Sequence, residues 1–274
     1  MKMAIAGGTG VVGRFAVQAA EDRGHEVVVI SRSRGVDLRS GRGLAKALEG
    51  VEVVVDAANV ATMKADEGSA MFTDMTANLQ AVGAARGVSR LVVLSIVGLE
   101  RVPIGYYRAK LAQEATALAG PLPVTVVRAT QFHEFPAQVL QRARMGPVAL
   151  VPPMRIRPVA ARAVGRVLVD VAEGVGRGAL GDGTLGDGAS AGGGTAGGGT
   201  VEVAGPEVLD LVAMARALAR RRHRHLAILP ARVPGLAGKA MRTGGQLPAD
   251  GAARIVGPTF QEWLSTDDAA YPAF

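Results

Sequence analysis

The chain has 274 residues, 49% of them hydrophobic, and a net charge of +7. It is long enough for one large α/β domain, or one domain with a small appendage. It has no cysteine, which excludes disulfides, thiolate catalysis and zinc–thiolate sites and fits a reducing cytoplasm. Four histidines scattered along the chain argue against a histidine-built metal centre, and no metal is expected. No apolar run approaches the roughly 18 residues of a membrane span, and glycines cut the first apolar run short, unlike a signal peptide. A soluble, cytoplasmic protein is therefore expected.

In chain order, Lys2 to Ala6 reads as a strand. Val12, Phe15, Ala16 and Ala19 fall at i, i+3, i+4 and i+7, an amphipathic helix ending near Gly24. Glu26 to Ile30, Val51 to Ala57, Leu91 to Ile96 and Val124 to Arg128 are β-branched runs, with helical patterns over about Ala70 to Ala85 and Tyr106 to Ala119 between them. Continuous rather than alternating apolar strands suit a sheet covered by helices on both faces. The strand–helix alternation predicts a Rossmann-type doubly wound parallel sheet.

The second half is less regular. Phe132 to Arg144 and Ala160 to Glu173 read as helices, and VALVPP and RIRPVA as short extended pieces. Residues 174–200 are Gly-rich with almost nothing to bury, which predicts a flexible, exposed loop. VEVAGPEVLDLVAMARALARR then resumes as strand, turn and helix, and HLAILPA is one more short strand. A single dinucleotide-binding domain over 1–274, with a smaller irregular C-terminal substrate-binding portion from about residue 132, follows. The tract Arg220-Arg221-Arg222-His223-Arg224-His225 reads as the solvated end of a helix, where cations favour the negative dipole end. No aromatic residues interleave it, so no nucleic-acid partner is expected.

AGGTGVVGR lies between the first strand and the first helix, the context in which a glycine loop cradles phosphates. Gly7 turns the chain off the strand, Gly10 lets backbone approach a pyrophosphate, and Gly13 lets the helix pack close to the sheet. The helix N-terminus, with Thr9, Val11 and Val12 around it, offers free N–H groups and a positive dipole. After the second strand stand Ser31, Arg32, Ser33 and Arg34, with no acid before Asp37. Guanidinium groups and hydroxyls match a 2′-phosphate, where a carboxylate would repel it, so NADP(H) is expected over NAD(H). Ala57, Ala58 and Asn59 end the third strand at the crevice. Asn59 bonds a ribose there or caps the next segment.

The loop, as TGxxGxxG preceded by Gly7, resembles that of the atypical or extended short-chain dehydrogenases/reductases, in particular the NmrA-like NAD(P)-binding proteins. LVVLSIVGLERVPIGYYRAKLAQE is similar to the same group, and the resemblance runs from residue 1 to about 173, resuming at VEVAGPEVLDLVAMARALA. It implies that Asp37 and Leu38 contact the adenine, that Asn78 makes a structural hydrogen bond, and that Thr130, Gln131, Phe132 and His133 line the substrate pocket beside the nicotinamide. Where the group usually carries an acid before the helix near residue 161, this chain has Ala161 and Arg162.

Ser95 ends the fourth strand, and Tyr106 and Lys110 are four apart at a helix start, on one face. An ammonium near a phenol stabilises the phenolate and lowers its pKa, so Tyr106 can exchange a proton, while Lys110 holds a ribose and Ser95 polarises a carbonyl. Tyr107 is adjacent and is an alternative to Tyr106. His133 is a candidate acid or base. The implied activity is NADPH-dependent reduction of a small carbonyl or quinone-like substrate. A non-catalytic NADP(H) sensor and an NADP-using isomerase or epimerase are the alternatives. Oligomeric state is not legible.

Overall fold

The computed structural model describes residues 1–60, 62, 64–174 and 199–270. The flexibility expected of the Gly-rich stretch concerns residues 175–198, which lie outside these. In chain order the elements are β1 (Lys2–Ala6), α1 (Gly13–Asp22), β2 (Glu26–Ile30), α2 (Leu44–Ala47), β3 (Val53–Asp56), α3 (Ala65–Ala85), β4 (Arg90–Ile96), α4 (Gly105–Ala119), β5 (Val124–Ala129), α5 (Phe135–Ala143), β6 (Arg144–Met145), β7 (Val148–Val151), β8 (Arg155–Ile156), α6 (Ala161–Glu173), β9 (Gly199–Ala204), β10 (Leu209–Asp210), α7 (Leu211–Arg221), β11 (Ala227–Pro230), α8 (Gly235–Arg242), β12 (Ala253–Ile255) and α9 (Phe260–Leu264).

Seven strands form the central sheet in the order β12-β9-β5-β4-β3-β1-β2, every neighbouring pair parallel. Both faces are covered, as the continuous apolar strands predict. Successive side chains alternate between the faces. Ala4, Val54, Leu91 and Val93 pack with Phe72 and Leu79 of α3, and Met3, Ile5, Val55 and Val92 with Phe15 of α1 and Leu168 of α6. β2 and β3 leave opposite sides of β1, and Ala6 is in register with both Ile30 and Asp56. Their carboxyl ends therefore open one crevice at the topological switch point, where ligands bind in such sheets.

A third core gathers the irregular C-terminal part: Leu140, Ile156, Leu211, Leu218, Phe260 and Trp263 are buried together, with the small sheets β11-β7-β6 and β10-β8 beside it. β9 and β12, from the far side of the Gly-rich stretch, join the main sheet, β9 beside β5. α3 begins five residues before the apolar pattern does. Its first turn carries Asp66 and Glu67, which the helix dipole favours there.

α8, β12 and α9 have too few apolar residues in period to be read from sequence. Even so, α9 opens with a capping box between Thr259 and Glu262, a signal visible in T-F-Q-E. The basic tract is not simply solvated. Arg221 donates to the Leu264 carbonyl at 2.9 Å and Arg222 to that of Ala269 at 2.8 Å, fastening the C-terminal segment to α7.

Candidate functional site

The cradle is built from backbone. Gly7, at φ +70°, leaves β1 in the left-handed region, where a Cβ would meet the Ala57 carbonyl and Ala58 at 2.7 Å. A Cβ on Gly13 would overlap the Gly7 carbonyl oxygen, so loop and helix close on each other only with glycine at both positions. Gly10 donates to Gly7 O at 2.8 Å, and that oxygen alone lies within 4 Å of where its Cβ would be. The outer side of the loop is thus bare backbone before the α1 N-terminus, a shape and dipole that fit the pyrophosphate of a dinucleotide.

Arg32–Arg34 form a single 3₁₀ turn directly after β2. Ser31 and Ser33 hydroxyls bond each other at 2.9 Å. Both guanidinium groups are exposed and, among the described residues, neither forms an ion pair. The Asp37 carboxylate accepts from the backbone of Arg39 at 2.9 Å and Ser40 at 3.4 Å, which holds it below the usual carboxylate range, and Leu38 is buried. Asn78 on α3 pins this loop by donating to the Leu38 and Arg39 carbonyls at 2.8 and 2.9 Å.

At the other end the site is made of side chains. Asn59, past β3, accepts from the Tyr106 hydroxyl at 2.8 Å, so the structure brings these two candidates together. Burial, with Tyr107 adding, pushes the Tyr106 phenol up to about 12. This corrects the expectation that Lys110 lowers it. The Lys110 ammonium turns instead to the Leu94 carbonyl at 2.7 Å and to Gln113, and lies 4.9 Å over the Phe72 ring. Burial pulls Lys110 down to about 8, with Asp56 and Glu114 opposing. Ser95 is buried at the end of β4 with an unpartnered hydroxyl, as an oxygen awaiting a ligand would be.

Tyr107 is held by two amides. Its hydroxyl accepts from Gln131 at 3.0 Å and from Gln246 at 2.9 Å, and burial pushes it up to about 12. Gln246 was invisible in the sequence. It reaches Tyr107 because Arg101, in the loop after β4, grips the Gly245 and Leu247 carbonyls at 2.9 and 2.5 Å.

Thr130 donates to the Arg157 carbonyl at 2.5 Å, and Phe132 bridges to Val159. His133 lies apart from Tyr106 and Lys110, with its centroid 5.4 and 5.5 Å from the rings of Phe260 and Trp263. It contacts the Pro258 carbonyl at 3.1 Å, and burial pulls it down to about 4, so at neutral pH it is an uncharged, buried ring.

Ala161 and Arg162 open α6, and a carboxylate reaches its first turn from the loop after β5. Glu134 accepts from the Ala161 N–H at 3.3 Å, and burial pushes it up to about 7. Among the described residues, no cluster of acids and histidines has metal-binding geometry, and no helix is long and apolar enough to cross a membrane.

Residues 3–97 match the model of the NAD dependent epimerase/dehydratase family. No curated protein matches the chain. Among solved structures, MoeE5 in complex with UDP-glucuronic acid and NAD is 14% identical, covers 98% of each chain and superposes with a TM-score of 0.69. A short-chain dehydrogenase/reductase superfamily protein from Agrobacterium tumefaciens with bound NAD is 18% identical over 96% of this chain and 95% of its own, with a TM-score of 0.62. A dTDP-4-dehydrorhamnose reductase from Clostridium acetobutylicum is 16% identical over 84% of each, also at 0.62. The segment that carries the glycine loop thus matches the NAD dependent epimerase/dehydratase family, on a chain that shares its Rossmann-like fold with these solved structures.

Proposed function

We propose that the protein is an NADP(H)-binding oxidoreductase of the NmrA-like short-chain type, acting on a small carbonyl or quinone-like substrate. One observation carries the cofactor reading: two guanidinium groups, Arg32 and Arg34, without ion-pair partners among the described residues, on the turn after β2, where an acid would select NAD. A 2′-phosphate gains charge-assisted hydrogen bonds from both. The glycine cradle binds the pyrophosphate, and Lys110 holds the nicotinamide ribose. The bound nicotinamide supplies the hydride donor or acceptor. Tyr106, a phenol at pH 7, keeps its proton for transfer from the hydroxyl that now donates to Asn59, and Ser95 orients the substrate oxygen.

A second reading, a non-catalytic NADP(H) sensor, draws on the same tyrosine. Its phenol is raised to about 12, and Lys110 does not activate it. Titrating the purified protein with NADPH and NADH, then following NADPH oxidation against quinones and aldehydes, separates them. Tighter NADPH binding with turnover supports the reductase; NADPH binding without turnover favours the sensor. Tighter NADH binding, or Arg32→Ala leaving NADPH affinity unchanged, removes the cofactor assignment. Losing one charge-assisted contact is expected to weaken NADPH binding about tenfold or more.

A further inference from the structure

Lys110 is buried, and what surrounds it is a chain of polar groups running to the end of the neighbouring strand β3. Its ammonium donates to the Gln113 side-chain oxygen. The Gln113 amide nitrogen donates to one Asp56 oxygen at 2.9 Å. The other Asp56 oxygen accepts from the Ala58 N–H at 3.0 Å, inside the loop that flanks the cradle. An ammonium has only donors and an ionised carboxylate only acceptors, so the group between them must offer one of each. An amide does, and its orientation is thereby set.

The other charges facing Lys110 are accounted for. Glu114, also on α4, is neutralised by a two-point bond from Arg128 of β5 at 3.0 and 2.6 Å. α3 presents the uncharged Phe72 ring, β4 the Leu94 carbonyl, and the Tyr106 phenol stays protonated at neutral pH. Burial pushes the Asp56 carboxyl up, and Lys110 opposes the rise together with the bonds from Ala58 and Gln113; among the described residues, Asp56 is the carboxylate near Lys110 that no cation other than Lys110 neutralises.

We propose that Asp56 and Gln113 are positioning residues for Lys110: the Asp56 carboxylate, through the Gln113 amide, keeps the ammonium charged and aimed along the β4 edge, one helical turn from Tyr106, and links it to the Ala57–Asn59 loop. The proposal rests on the reading of Lys110 as a cofactor-holding residue. It makes nucleotide affinity depend on the Lys110 proton, which is lost as pH rises through about 8.

The test is a ¹³Cε NMR titration of the five lysines in the cofactor-free protein, with Lys110→Met assigning the signal, followed by NADPH titrations of the same samples. In the unsubstituted protein the Lys110 signal is expected to titrate well below the ~10.4 of free lysine. Asp56→Asn removes the charge that favours the ammonium, so the midpoint drops by about one pH unit or more, a tenfold loss of proton affinity. Gln113→Leu, which keeps the carboxylate, moves it the same way and is the deciding variant should Asp56→Asn not fold.

Both variants are expected to weaken NADPH binding several-fold at pH 7.5, and more at higher pH. Adding Asp56→Asn to Lys110→Met should weaken it no further. An unmoved Lys110 midpoint overturns the proposal, as does a moved midpoint with unchanged NADPH affinity. A protein that binds no NADPH at all overturns the functional reading instead, while the NMR titration still decides whether Asp56 governs the lysine.

Discussion

The two ends of the crevice are made in different ways. The glycine-loop end is backbone: Gly7, Gly8, Gly10 and Gly13 within seven residues, a helix N-terminus, and a turn that follows β2 directly. The other end is side chains gathered from distant points: Tyr106 on Asn59, 47 residues away, Gln113 on Asp56, 57 away, and Gln246 on Tyr107, 139 away. A backbone site needs only local geometry and tolerates almost any neighbour that leaves the loop its space. A side-chain site depends on every element that delivers a partner, and on the buried polar groups being paired.

Under this division, damage to the C-terminal core should be severe for stability but mild for the cradle. Trp263→Ala, at the centre of that core, is expected to cost about 3–5 kcal/mol in urea unfolding, while nucleotide affinity of the folded fraction stays within about threefold. A collapse of affinity would show that the cradle leans on the C-terminal part.

Glu134 probes the joint between the two. Its carboxyl is raised by burial from 4.5 to about 7, so the folded state favours the protonated form. The stability it contributes is full below pH 4.5 and lost as pH rises through about 7. Urea melts from about pH 4.5 to 8 should show a loss of about 3 kcal/mol that Glu134→Gln abolishes. Parallel pH profiles for the two proteins would rule out Glu134 as the source of the loss.

Gly13→Ala attacks the backbone end. Pushing a methyl onto the Gly7 carbonyl is expected to cost about 1–3 kcal/mol and to abolish nucleotide binding by titration, with the C-terminal core intact by tryptophan fluorescence. Smallest in stability is Tyr106→Phe, about 1 kcal/mol for the lost bond to Asn59. It should leave NADPH affinity unchanged, whereas any turnover should drop by about 10²-fold or more if Tyr106 moves the proton. An equal drop in Tyr107→Phe but none in Tyr106→Phe would reassign the role.

Sequence alone determined the sheet apart from β12, and the backbone shape of the glycine loop. Continuous β-branched runs make buried parallel strands wherever helices alternate with them, and Gly7, Gly10 and Gly13 state a backbone shape within a few residues of chain. It also named Tyr106 and Asn59, which the fold joins by a hydrogen bond, and Tyr107 and Gln131, which it joins by another.

Only the tertiary structure decided what the remaining candidates touch. Lys110 sits four residues after Tyr106, so spacing alone placed it against the phenol; packing turned it to Gln113 and Leu94. His133 stood in the loop after β5, yet Phe260 and Trp263, from the far C-terminal part, pack against it and bury it uncharged. The Ala161 N–H at the start of α6 finds its carboxylate in Glu134, from the neighbouring loop after β5. Hydrophobic period and glycine spacing are local and survive in one dimension. Desolvation and hydrogen-bond partnership depend on what lies within a few ångströms, and at the side-chain end of this crevice that is mostly chain from far away.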